Sequence, residues 1–150
     1  MKITLASLTL RVVELLGPKH AFTLTGGMAM YLNNAVHQSK VIRPVYCQHE
    51  QACVAAAEGY AKTKDFKVPG LAVVTAGPGV TNCITACRNA QMTESGIVVI
   101  GGASPLLLKG RGSLQDVEQL NLLKGVCKKV YGCTRIQNLK DTMENAINCA

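Results

Sequence analysis

Glu50 is the acidic side chain of this sequence that is best placed to do chemistry. It closes the polar run Gln48-His49-Glu50, which separates an apolar, β-branched run from an alanine-rich stretch. A carboxyl group in such an apolar setting is desolvated, and a desolvated carboxyl group can share a proton with a ligand. An acid at the start of a helix also complements the helix dipole, which is worth only about 0.3–1 kcal/mol. The residues around Glu50 leave both interpretations open.

Two glycine turns lie on either side of Glu50 in the sequence. Gly26-Gly27 follows a short apolar run that ends at Leu24, and Gly77-Pro78-Gly79 lies within the run from Thr75 to Asn82. Glycine allows the backbone to approach a ligand closely. No Lys-Ser/Thr follows the second turn and no third glycine follows the first. This excludes a P-loop and disfavours a Rossmann nicotinamide site.

Apolar runs alternate with helical stretches along the chain, and this order positions the turns. The pattern predicts strands at 21–24, 41–46, 71–75, 97–100 and 127–133, and helices at 5–16, 28–37, 48–62, 80–91, 116–124 and 138–148. Such alternation indicates an α/β fold in three layers, a parallel sheet with helices on both faces. Ligands bind such sheets beyond the carboxyl ends of the strands. Glu50 and both glycine turns fall at that edge.

Composition narrows the class of protein. The 150 residues suffice for one domain, and 48% hydrophobic with 17% charged residues is typical of a globular protein. The net charge is +7, but no basic run alternates with aromatic residues, so nucleic-acid binding is disfavoured. Seven cysteines without a Cys-x-x-Cys pair predict reduced, buried thiols in an intracellular protein. Cys83 and Cys87 share a helix face, but no His at matching spacing supports a metal site there.

Three motifs in order resemble the acetolactate synthase-like family of thiamine diphosphate enzymes. They are Leu24-Thr25-Gly26-Gly27, then His49-Glu50 with the Ala-Ala-Ala-Glu-Gly-Tyr-Ala that follows, and then Thr75 to Asn82. The resemblance is to the N-terminal pyrimidine-binding domain, from about residue 5 to the end of the chain. The stretch 96–119 is most similar to family members that act as 2-hydroxyacyl-CoA lyases. The resemblance implies a flavodoxin-like fold and an enzyme that makes or breaks carbon–carbon bonds next to a carbonyl.

The resemblance also implies roles for individual residues. Glu50 would hydrogen-bond the N1′ atom of the cofactor's aminopyrimidine and favour the imino tautomer, whose N4′ removes the proton from thiazolium C2. The positions that match the cofactor-binding turns are Leu24, Gly26, Gly27, Thr75, Pro78, Gly79 and Asn82. Leu24 departs from the Tyr that is common in the family. Gln115 and His49 match active-site loop positions more weakly, and a capping role for His49 is an equal alternative.

The resemblance extends to the partners of the domain. In the family, a Gly-Asp-Gly motif in a separate domain holds the diphosphate and Mg²⁺, and this sequence lacks that motif. The chain is therefore expected to hold no metal, to be inactive alone, and to share its thiamine diphosphate site with another subunit or with missing domains, in a homodimer or homotetramer. The substrate would be a small 2-keto acid or 2-hydroxyacyl compound.

Three interpretations of the chain as a whole remain. It is expected to be the N-terminal piece, 1–150, of a longer enzyme, ending before the last strand of its domain and without the central and diphosphate-binding domains. The alternatives are the small subunit of a split 2-keto acid decarboxylase and a non-catalytic binding or regulatory module. The expected location is the cytoplasm, and association with an organelle or with the endoplasmic reticulum membrane through missing segments stays open.

Overall fold

One parallel sheet organises the molecule. The computed structural model describes residues 4–15, 17–65 and 67–150. Its sheet has the strand order β2-β1-β3-β4, where β1 is His20–Thr23, β2 is Arg43–Tyr46, β3 is Gly70–Val74 and β4 is Ile97–Gly101. All three strand pairings are parallel, and Ala72 of β3 pairs with Phe22 on one side and Val99 on the other. The predicted parallel α/β sheet is confirmed.

Helices cover both faces of this sheet. They are α1 (Leu5–Leu15), α2 (Met30–Gln38), α3 (Glu50–Thr63), α4 (Pro78–Thr81), α5 (Ile84–Met92), α6 (Gln119–Leu123) and α7 (Leu139–Cys149). Short 3₁₀ turns occupy Gly27–Ala29, Leu106–Leu108 and Ile136–Asn138. Leu16, the predicted end of the first helix, lies outside the described residues. Among the helices of the described ranges, none is long and apolar enough to cross a membrane.

The central strand β3 supplies the core on both faces of the sheet. Leu71 and Val73 pack into a cluster with α1, α2 and α7, whereas Ala72 and Val74 pack into a cluster with α3, α4 and α5. All five residues of β3 are buried, as expected for a strand that is covered on both sides. At Gly70, a Cβ atom would lie 1.9 Å from the carbonyl oxygen of Ala57, so β3 and α3 meet backbone to backbone.

The predicted strand at 127–133 is wrong. This segment forms neither a strand nor a helix and pairs with none of the four strands. Tyr131 is 40% exposed and Cys133 is also exposed, so the segment is not covered in the way a sheet strand is. A strand needs a neighbouring backbone to pair with, and β-forming residue types do not supply one.

Most other element boundaries lie one to three residues from the predicted ones, and two of the differences are described here. Strand β2 begins at Arg43 instead of 41, because Ser39 Oγ accepts hydrogen bonds from the N–H groups of Val41 and Ile42 at 3.0 and 2.9 Å. The helix predicted at 80–91 is divided into α4 and α5, with a turn at Asn82 and Cys83. The second difference matters for function because Asn82 is a predicted site residue.

Candidate functional site

Glu50 is the first residue of α3, and its position depends on the residue before it. His49 is the N-cap of the helix, and its Nδ1 accepts a hydrogen bond from the backbone N–H of Gln51 at 3.1 Å. An N-cap side chain that accepts from N2 satisfies a backbone donor that the helix leaves free. The structure therefore gives His49 the capping contact that the sequence left as an alternative.

The Glu50 carboxylate is buried, with only 9% of the residue exposed. Its Oε2 accepts a hydrogen bond from Asn82 Nδ2 at 3.0 Å. No side chain or backbone group of the described residues donates to Oε1. Oε1 is not one of the buried polar atoms that lack a partner among the described residues, so it reaches the surface of the protein. Oε1 is thus an acceptor that is held in place and remains available to a ligand.

Gly79 lies close to Oε1 and has no side chain there. At Gly79, on α4, a Cβ atom would lie 3.5 Å from Glu50 Oε1 and 2.6 Å from Thr75 Cγ2. Any larger residue would press on Thr75 and narrow the space beside the carboxylate. Gly79 therefore fits a position where a flat ligand group could approach Glu50 closely.

Cys83 closes the inner side of the Glu50 site. Its Sγ lies 3.2 Å from Gly79 O and 3.8 Å from Glu50 O. Burial, with smaller contributions from the nearby Glu50 and Cys127, raises the pKa of the Cys83 thiol to about 12. Cys83 therefore remains a neutral thiol near neutral pH.

Thr75, at the end of β3, holds the two glycine turns together. At Gly26 a Cβ atom would lie 2.5 Å from Thr75 Cβ, so the first turn rests directly on this side chain. Thr75 Oγ1 accepts a 3.3 Å hydrogen bond from Met28 N and lies 3.3 Å from Gln115 Oε1. Thr75 thus joins the turns after β1 and β3 with the loop after β4.

Gln119 is a second glutamine at this edge, and the sequence did not single it out. Its Oε1 accepts a hydrogen bond from the Gly77 N–H at 3.0 Å, and its Nε2 donates to the Gly102 carbonyl at 2.7 Å. These partners lie 42 and 17 residues away in sequence. Nothing in the local pattern indicates such contacts, and only the fold reveals them.

The structure brings most of the predicted residues together. Contacts link Gly26, Thr75, Gly79, Glu50, Asn82 and Gln115 into one cluster at the carboxyl edge. Pro78 is the first residue of α4 and fixes the start of that helix. Leu24 instead packs against the α3–α5 side of the core. A Cβ atom on Gly27 would meet nothing within 4 Å, so this glycine leaves open space at the same edge.

An open cleft adjoins this cluster on the β2 side. Its volume is about 440 Å³, and its lining includes Gly26, Gly27, Asn33, His37 and Tyr46 but not Glu50. A second cleft of about 500 Å³ lies at the opposite edge, beside Lys19, Lys40 and Arg43. We place the candidate site at Glu50 and not in either cleft, because the polar groups converge at Glu50 and the glycine turns lie close to it.

These features define a class of protein before any comparison. A parallel α/β domain presents a largely buried carboxylate with one available oxygen, close to two glycine turns. The chain belongs to the family described as thiamine pyrophosphate enzyme, N-terminal TPP binding domain, whose model matches residues 3–122.

Similar proteins include lyases and a synthase. The chain is 47% identical over 109 residues to 2-hydroxyacyl-CoA lyase 2 of Caenorhabditis elegans, covering 73% of this chain and 17% of that protein. It is 40% identical over 134 residues to 2-hydroxyacyl-CoA lyase 2 of Homo sapiens, covering 89% and 21%. It is 35% identical over 129 residues to an acetolactate synthase large subunit of Mycobacterium tuberculosis, covering 86% and 23%. The chain thus spans about a fifth of the length of these relatives.

Proposed function

We propose that this chain is the pyrimidine-binding domain of a thiamine diphosphate-dependent enzyme that makes or breaks carbon–carbon bonds next to a carbonyl, with Glu50 as its proton-sharing carboxylate. The observation that carries the proposal is the available Oε1 of Glu50, opposite Gly79. The residues present fit an aminopyrimidine. The basic nitrogen of such a ring needs an acceptor that can share a proton with it, and the flat ring needs a neighbouring position without a side chain. Bound thiamine diphosphate would supply that ring and an acidic thiazolium C–H.

Each residue of the cluster has a separable part in this proposal. Asn82 holds Oε2 of Glu50, so that Oε1 keeps a fixed direction. Gly79 leaves room for the ring, and Cys83 keeps the inner side of the carboxylate neutral. Thr75 maintains the spacing between the turns at Gly26 and Gly79. Glu50 would hold a proton at the ring nitrogen and return it during the reaction.

The partners follow from the same proposal. A diphosphate-binding domain, in another part of the protein or in another subunit, would complete the site and hold Mg²⁺. The substrate would be a 2-hydroxyacyl compound or a 2-keto acid, and the higher identity to the 2-hydroxyacyl-CoA lyases favours the former. The chain on its own would give no turnover, and product formed by the isolated chain would contradict this part of the proposal.

The decisive variant is Glu50→Gln in the complete protein. Gln keeps the shape of the side chain and can still accept from Asn82, but it cannot share a proton with the ring. We expect the rate constant for exchange of the C2 proton of bound thiamine diphosphate with deuterium to fall by about 10²–10⁴. This exchange is measured by acid quench and NMR at saturating cofactor.

The matched control is Glu144→Gln on α7, where Lys140 is the ion-pair partner of Glu144 among the described residues. It should exchange at the wild-type rate. A Glu50→Gln protein that also exchanges at the wild-type rate would show that the role given to Glu50 is wrong.

A further inference from the structure

Gln119 bridges two strand ends that are separate in the sequence. Both ends of its side-chain amide are used, since Oε1 accepts from Gly77 and Nε2 donates to Gly102. The backbone N–H of Gly77 can pair only with the amide oxygen and the carbonyl of Gly102 only with the amide nitrogen, so the partners determine the orientation of the amide. The side chain is half-buried at the start of α6.

Gly77 is the point at which the β3 turn becomes α4. Its φ of 58° and ψ of −117° lie in a region that favours glycine. The helix that follows carries Gly79, and Asn82 comes directly after it, so both contacts to the Glu50 carboxylate depend on how this turn is oriented. Gln119 holds the backbone of the turn at its first residue.

Gly102 connects the same bridge to the rest of the edge. Its N–H donates to the Val74 carbonyl at 3.0 Å, and a Cβ atom there would lie 2.7 Å from the Met28 carbonyl oxygen. Gly102 therefore touches both the end of β3 and the turn after β1. Hydrogen bonds therefore connect Gly77 to Gln119, Gln119 to Gly102, and Gly102 back to Val74 at the end of β3.

The bridge also fixes the loop that carries Gln115. Gln115 has a φ of 63°, which is unusual for a residue other than glycine, and its backbone lies 2.9 Å from the position of a Cβ atom on Gly77. The loop is therefore stacked on the glycine turn, and Gln119 anchors it four residues later. The side chain of Gln115 also contacts Thr75, with Oε1 3.3 Å from Thr75 Oγ1.

We propose that Gln119 is a positioning residue that holds the Gly77 turn and the Gln115 loop in register, and thereby directs Gly79 and Asn82 toward Glu50. This inference rests on the proposed function for its catalytic consequence, but the positioning itself can be measured without cofactor. The variants are Gln119→Met, which keeps length and loses both hydrogen bonds, and Gln119→Glu, which keeps an acceptor for Gly77. The control is Gln137→Met, because Gln137 is exposed.

The first measurement is amide hydrogen–deuterium exchange of the complete protein without cofactor. We expect the Gly77 amide to exchange about tenfold faster in Gln119→Met, because it loses its acceptor. In Gln137→Met it should keep its protection, and in Gln119→Glu it should keep part of it, because the carboxylate retains an acceptor for Gly77 but cannot donate to the Gly102 carbonyl. Unchanged protection of the Gly77 amide in Gln119→Met would overturn the inference, regardless of the result of the cofactor measurement.

The second measurement is C2-proton exchange of bound thiamine diphosphate. We expect Gln119→Met to slow it about tenfold at saturating cofactor and Gln119→Glu to restore part of the rate. A purely structural role would lower the melting temperature without changing this rate. If Glu50→Gln slows exchange and Gln119→Met does not, the inference fails and the proposed function stands. If Glu50→Gln has no effect while Gln119→Met exposes the Gly77 amide, the proposed function fails and the positioning role stands.

Discussion

Helix α3 carries two buried carboxylates, Glu50 and Glu58, and their surroundings are opposite. Glu58 is 4% exposed and accepts hydrogen bonds from four side chains: Lys62, Asn89, Thr93 and Ser95. Glu50 is 9% exposed and accepts one, from Asn82. The donors to Glu58 connect α3 to α5 and to the turn before β4. The comparison shows that one helix holds one acid with several donors and another acid with a single donor.

The pKa of Glu58 reflects its donors. Burial alone raises the pKa of this carboxyl, but hydrogen bonds from Lys62, Thr93 and Asn89 outweigh burial and lower it to about 2. Glu58 therefore remains ionised and fully paired throughout the physiological range. Such a group cannot exchange protons with a ligand near pH 7, which excludes it from the kind of role proposed for Glu50.

The largest expected contrast in stability is between Glu58→Gln and Glu50→Gln. Loss of the Glu58 charge leaves its donors poorly paired, and we expect the free energy of unfolding to fall by about 2–3 kcal/mol. Glu50→Gln retains an acceptor for Asn82 and should change it by less than about 1 kcal/mol. Urea unfolding followed by circular dichroism measures both. If both variants lost the same free energy of unfolding, Glu58 would be no more important for stability than Glu50.

Acid pH should sharpen the same contrast. The carboxyl of Glu58 has a lower pKa in the folded protein than its ordinary value of 4.5, so its stabilisation is present above about pH 4.5 and is lost as pH falls toward 2. Between pH 7 and pH 3 we expect the stability difference between wild type and Glu58→Gln to shrink by about 2 kcal/mol. Parallel urea titrations at several pH values test this. A difference that does not depend on pH would mean that Glu58 does not act through its charge.

A third comparison is between two glycines, Gly79 beside Glu50 and Gly59 next to Glu58 in α3. Gly79→Ala places a methyl group 2.6 Å from Thr75 Cγ2 and should cost about 1–3 kcal/mol and weaken thiamine diphosphate binding. A Cβ atom on Gly59, inside α3, meets nothing within 4 Å, so Gly59→Ala should add about 0.5–1 kcal/mol. Thermal unfolding measures the change in stability of both variants, and titration with thiamine diphosphate measures how tightly each variant binds the cofactor. Tight cofactor binding by Gly79→Ala would mean that the space beside Glu50 is not used.

The sequence predicted the parts of the fold that depend on local patterns. Four strands, the helices between them and the glycine turns follow from apolar periodicity and turn residues, and each was found within a few residues of its predicted bounds. Glu50 was predicted at a strand-to-helix edge and is found there. The chain was assigned to a family from the order of three motifs, and the family model that matches residues 3–122 confirms that assignment.

The errors arose where structure depends on partners distant in sequence. Residues 127–133 have β-forming side chains, yet they pair with no described strand. The turn at Asn82, where Nδ2 bonds to Glu50 32 residues earlier, was not visible in a helical pattern. Gln119 went unnoticed for the same reason, since glutamine at a helix start is common. The catalytic use of Glu50 and the binding roles of all the other predicted site residues remain predictions.

Gly70 has a consequence for the interpretation of variants. It lies at the opposite end of β3 from Thr75 and contacts none of the site residues, yet any side chain there would strike the carbonyl of Ala57. The backbone of α3 cannot yield locally, so the whole helix would shift, and Glu50 at its start would shift with it. A substitution at Gly70 would therefore look like a loss of function in a mutational scan, although it lies at the other end of β3 from Thr75.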